Sequence, residues 1–104
     1  MSAGGELPAY DAFAAVRGEL FSIGEDARPA RLASVTACQR QSGWECFSLI
    51  FELPSDTQMA QSVCRVEHVV LGTMSLLLVP IGPSPEEPAG NVRYEAAFNR
   101  RAIA

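Results

Sequence analysis

The stretch Trp44–Leu53 reads W-E-C-F-S-L-I-F-E-L. In an extended chain Phe47, Leu49, Phe51 and Leu53 share one face, and Cys46, Ser48, Ile50 and Glu52 share the other. Successive side chains of a strand point to opposite sides, so Phe and Leu in strict alternation mark a strand with one face in a core. The loop Gln41-Ser42-Gly43 precedes this strand and the polar segment Pro54–Ala60 follows it. Those breaks bound it at about the usual strand length, a little on the long side.

The same period of two recurs on both sides. Downstream, Ser62–Val70 sets Cys64, Val66, His68 and Val70 against Val63, Arg65, Glu67 and Val69. Gly72 then makes a tight connection to Thr73–Val79, which predicts a hairpin closed by Pro80. Gly82–Asn91, with Pro83, Pro85, Pro88, Glu86, Glu87 and Gly90, reads as a loop. After it Val92, Tyr94, Ala96 and Phe98 alternate with Arg93, Glu95, Ala97 and Asn99, a half-buried strand. Upstream, Arg31–Gln39 is extended with neither face strongly apolar, Gly24–Pro29 is a turn, and Leu20–Ile23 is a short strand. Before Gly18 the period changes: Tyr10, Phe13, Ala14 and Arg17 recur at helical spacing behind Pro8, predicting a helix over Ala9–Arg17. Met1–Glu6 and Arg100–Ala104 are expected to be loose ends.

These elements describe a mainly β fold of about six strands with one short N-terminal helix. Short connections make the sheet antiparallel, and the options at this size are a small barrel or a sandwich. The 104 residues form one domain, 1–104, and a 48% hydrophobic content suits a folded globule. The formal net charge is −4, carried with eight arginines and no lysine. An acidic protein repels phosphate backbones, so nucleic acid is not an expected partner. No apolar run approaches a membrane span and no leader is visible, so a cytoplasmic location and no membrane contact are expected.

The chemistry-bearing residues are sparse. Cys38, Cys46 and Cys64 are odd in number and lack zinc-ligand spacing, which predicts reduced thiols packed as small hydrophobes. His68 is the single histidine; Cys64, on the same strand face, lies roughly 13 Å away at strand rise. Glu25 and Asp26, like Glu86 and Glu87, fall in loops without a calcium-loop pattern. No catalytic, cofactor-binding or metal-ligating set is therefore expected. Trp44, at the start of the central strand, suits either rim packing or an interface, where aromatics are enriched. Arg93 and Glu95, on the outer face of the last strand, are expected as a solvated pair and as further interface candidates.

Several motifs carry a resemblance. F-S-L-I-F-E-L-P-S-D at 47–56, C-R-V-E-H-V-V-L-G at 64–72, L-L-V-P-I-G at 77–82 and R-Y-E-A-A-F-N at 93–99 resemble a bacterial domain-of-unknown-function family of small β proteins. The opening Y-D-A-F-A-A-V-R-G-E-L-F at 10–21 is similar to that family's start, a helix, a Gly and a first strand. Leu53 and Cys64 depart from its pattern of a Gly and an aromatic. The resemblance implies an association with phage tail-collar-like loci and supplies no catalytic residue. The expected function is a non-enzymatic protein-binding or assembly module, accessory to a phage-tail-like or surface-fibre system. A barrel holding a small ligand against Phe47, Leu49 and Phe51 is the alternative, and an enzyme built on His68 and a cysteine the remotest option.

Overall fold

The computed structural model describes residues 7–54, 57, 59–83 and 91–101. The expected loose segments Met1–Glu6 and 102–104, and the Pro-rich stretch 84–90, lie outside the described residues. The chain runs α1 (Tyr10–Ala15), β1 (Leu20–Ile23), β2 (Arg28–Val35), β3 (Gln39–Gln41), β4 (Trp44–Leu53), β5 (Ser62–His68), β6 (Gly72–Pro83) and β7 (Val92–Arg101). Every pairing is antiparallel, in the order β2-β1-β5-β6-β7-β4, and β4 returns to β2. Six strands thus close a barrel, which settles the choice between barrel and sandwich. β3 is a seventh strand that pairs with β4 beyond the end of β2.

The core-facing alternation of β4 is as its sequence requires. Leu49, Phe51 and Leu53 are buried, and Phe47 nearly so. They meet Leu32, Phe21, Ile23, Val66, Leu78, Ala96 and Phe98 from the other strands in one continuous core. Phe47 stacks on Phe98 with centroids 4.6 Å apart, and Phe21 meets Phe51 edge to face at 5.2 Å. Such pairs add to burial because each ring's positive edge meets a negative face or an offset neighbour. The interior is filled by side chains, as barrels of few strands generally are.

The helix is shorter than its periodicity predicts. It ends at Ala15, with Val16 as C-cap and Gly18 at φ +92° turning the chain into β1. So short a helix has no independent stability in water. It is held because Phe13 is fully buried between Phe47 and Phe98, and Tyr10 sits edge-on against Phe47 at 5.1 Å.

Strand boundaries differ from the reading of the sequence where closure demands it. β2 begins at Arg28, inside the expected turn, because Arg28, Pro29 and Ala30 pair with Ile23, Ser22 and Phe21. It stops at Val35 after a bulge between Leu32 and Ser34, so the expected strand Arg31–Gln39 is two strands with a link between them. Pro80 does not close β6; a register shift between Pro80 and Gly82 carries the strand on to Pro83 opposite Val92. A bulge of this kind lets proline sit where a ladder donor is missing. β7 extends to Arg101, since Arg100 and Arg101 pair with Glu45 and Trp44 rather than forming a loose tail.

Two devices hold the connections. Ser42 and Gly43 both have positive φ, 53° and 82°, between the paired residues Gln41 and Trp44. Positive φ at both central residues is the two-residue turn that matches strand twist. At the opposite end of the barrel the buried Tyr94 hydroxyl donates to the Met59 carbonyl at 3.2 Å and accepts from the Met59 N–H at 2.9 Å, pinning the segment after β4. Serine is unfavourable at positive φ whereas asparagine tolerates it, so Ser42→Asn is expected to stabilise the protein by up to about 1 kcal/mol in urea unfolding. Phe51→Ala is expected to cost about 3–5 kcal/mol in the same measurement.

Candidate protein-binding surface

The long ladder between β4 and β7 sets the outer face as firmly as the inner one. Its outward rows are Trp44 with Arg101, Cys46 with Asn99, Ser48 with Ala97, Ile50 with Glu95, and Glu52 with Arg93. The link between β2 and β3 is tied onto this face: Thr36 N–H donates to the Ser48 carbonyl at 2.9 Å, and Ser48 N–H donates to Thr36 Oγ1 at 2.8 Å. Between that link and β7 lies an open groove of about 450 Å³, lined by Thr36, Ala37, Gln39, Cys46, Ser48 and Asn99 among others. Small and polar side chains make its floor, so an incoming backbone can come close.

Trp44 stands at one end of this face. It is 45% exposed, the one exposed aromatic of the eight in the chain. The Arg101 guanidinium lies 5.7 Å from the centre of its ring, within cation–π range. Arg93 and Glu95 share the face with Trp44 but lie near its other end, Arg93 being eight residues from Arg101 along β7, roughly 26 Å at strand rise. They are half-buried rather than solvated, and no ion pair joins them. The expected solvated pair is therefore corrected, because β4 and β6 flank β7 and cover both side chains. Glu52, beside Arg93, is instead bound by Arg31 of β2 at 3.0 Å.

The remaining polar groups are engaged in structural roles. His68 is buried against Phe21; its Nδ1 accepts from the N–H groups of Val70 and Leu71 at 3.0 and 3.2 Å. Its proton therefore sits on Nε2, which donates to Glu19 Oε1 at 2.7 Å. The cysteines are free, and their sulfurs contact Glu45, Asn99 and Ser62 rather than His68. Cys38 and Cys64 pack against the core as expected, but Cys46 is exposed on the floor of the groove, because its position on β4 faces outward. Among the described residues no three His, Cys, Asp or Glu side chains gather as metal ligands, and no helix is long and apolar enough to cross a membrane.

One buried carboxylate, Glu45, gathers two arginines, and the reading of the sequence did not single it out. Glu45 lies on the inner side of β4 at the helix-capped end of the barrel, 1% exposed. Arg100 Nε donates to its Oε2 at 2.7 Å and Arg40 Nε to its Oε1 at 3.3 Å. Arg100 also donates to the Pro8 carbonyl at 2.9 Å and lies over the rings of Phe47 and Phe98, at 5.3 and 5.1 Å. The Arg100 hydrogen bond, against the opposing effect of burial and with help from the charges of Arg100 and Arg40, holds the Glu45 carboxyl below its ordinary value of 4.5. A carboxyl depressed in the folded state stabilises the fold at pH above its unfolded value, and that contribution fades as pH falls through the folded value. The stability difference between the protein and Glu45→Gln is thus expected to be largest near neutral pH and to shrink below about pH 4.5 in urea unfolding at a series of pH values.

No curated protein and no solved structure matches the chain. The sequence does match the model of a domain of unknown function, DUF6916, over residues 8–98. That span runs from the helix through all but the last three residues of β7. The chain belongs to the DUF6916 family.

Proposed function

We propose that this protein is a non-enzymatic protein-binding module that docks a partner on the outer β4–β7 face. The observation that carries this reading is the exposed Trp44–Arg101 stack at the end of the groove floored by Ser48, Cys46 and Asn99. Tryptophan and arginine are the residues that most often dominate binding energy at interfaces. The other seven aromatics pack on the core or the helix, and alternation along β4 leaves Trp44 outside.

The alternative, a ligand inside the barrel, finds less support: Phe47, Leu49 and Phe51, its proposed lining, are packed on other core side chains. Docking along a sheet edge is the second mode: β3 has one open side, and β6 pairs with β7 only from Val79 to Pro83, which leaves a cleft between Ser75–Leu77 and Ala97–Arg100. The outer face is favoured here because the exposed Trp44 and Arg101 stand on it. The implied link to tail-collar-like loci gives the proposed setting, an accessory role in a phage-tail-like or surface-fibre assembly.

Trp44→Ala is expected to lose capture of a stoichiometric fibre- or collar-type protein from host extract, identified by mass spectrometry. The same substitution is expected to cost no more than about 1 kcal/mol in unfolding, the scale of an exposed cation–π pair. A destabilisation on the scale of a core truncation would return Trp44 to a structural role.

A further inference from the structure

We propose that the segment docked on the β4–β7 face is an extended, acidic stretch of a partner protein, its carboxylates received by Arg101 and Arg93. This rests on the docking reading above and adds the partner's chemistry. The chain as a whole carries −4, yet its outer β2–β4–β7 face carries Arg31, Arg93 and Arg101 against Glu52 and Glu95. Arg31 is spent on Glu52. The other two arginines are not spent.

Arg101 is exposed, with its guanidinium carbon 5.7 Å from the centre of the Trp44 ring, and its N–H donors make no hydrogen bond or ion pair with a described residue. A planar carboxylate-binding fork thus stands beside the indole with its donors free. Arg93 is half-buried and makes no ion pair with a described residue; its Nε is buried without a partner, so the terminal guanidinium nitrogens are the donors a docked carboxylate would meet. The two arginines are eight residues apart on one face of β7, the distance that eight residues of an extended partner span. Between them the floor of Asn99, Ala97, Cys46 and Ser48 is low and uncharged, while Glu95 disfavours an acid in its own row. Acids toward the two ends of the segment, with small neutral residues between, are what this surface complements. The arrangement recognises charge and spacing, so binding is sensitive to salt.

The test is an NMR titration of the intact ¹⁵N-labelled protein with a synthetic peptide carrying glutamates eight residues apart over a Ser/Gly/Thr spacer. The peptide with lysines in place of the glutamates, and phosphatidylserine vesicles, are the comparisons. Shifts are expected at Cys46, Ser48, Ala97, Asn99 and Arg101, reduced by salt and absent with the lysine peptide. Arg101→Gln and Arg93→Gln are each expected to weaken binding about tenfold, the scale of a lost charge-assisted hydrogen bond, while Glu95→Gln tightens it. Equal binding of the lysine peptide, no shifts at millimolar glutamate peptide, or a response to vesicles alone overturns the assignment. If a protein partner still docks on this face while the glutamate peptide moves nothing, the docking reading stands and the acidic assignment falls. If no partner docks there, both fall.

Discussion

Ten consecutive residue pairs join β4 to β7, from Trp44 with Arg101 to Leu53 with Val92. Because side chains alternate across a sheet, this one register decides two surfaces at once. It turns Phe47, Leu49, Phe51, Tyr94, Ala96 and Phe98 into the core, and it sets Trp44, Cys46, Ser48, Asn99 and Arg101 in a row outside. A slip of one residue would exchange the two. The other edge of β4 binds β2 and then β3, so the strand is held on both sides along most of its length. The backbone of the exposed face is therefore fixed by the same ladder as the core, and a preformed surface has a lower ordering cost on binding.

The helix-capped end of the barrel adds a constraint of a different kind. Glu45 is taken out of water there, and a buried carboxylate is tolerable only with partners that replace its hydration. Arg100 is the chief partner, and the same guanidinium covers Phe47 and Phe98 and holds the Pro8 carbonyl. The start of the helix, the end of β7 and the start of β4 thus meet at one side chain. Phe13 fills the space beneath. A six-residue helix that could not persist alone becomes part of the fold by closing the barrel mouth.

The regular parts of this design were legible in the sequence. Alternation over Phe47–Leu53 and Val92–Phe98 located the two principal strands and their inner faces, Gly72 located the β5–β6 hairpin, and Gln41–Gly43 read as a loop that the structure shows to be a two-residue turn. What the sequence left open depends on partners distant along the chain. Closure of β2 on β4 follows from register, and the bulges that allow it leave no simple mark in composition. Pro80 reads as a terminator, but a register shift between Pro80 and Gly82 accommodates it and the strand continues. Alternation puts Glu45 on the core-facing side of β4, but that an acid is tolerated there follows only from Arg100, 55 residues later, lying opposite it. Trp44, Arg93 and Glu95 were visible as candidates one at a time. That they share a face, at opposite ends, and that Arg101 and Asn99 belong with them, follows only from the β4–β7 ladder.

The β4–β7 register sets Trp44 outside, and Arg93 and Arg101 on the same face make no ion pair with a described residue. The proposed recognition rests on this outer face of a small closed barrel. The most direct test is hydrogen–deuterium exchange of the protein alone and in complex with its captured partner. The account predicts added protection at residues 36–48 and 97–101, on the groove and the Trp44–Arg101 end. Protection confined to the exposed Val69–Val70 tip between β5 and β6, with the β4–β7 face unchanged, would contradict it.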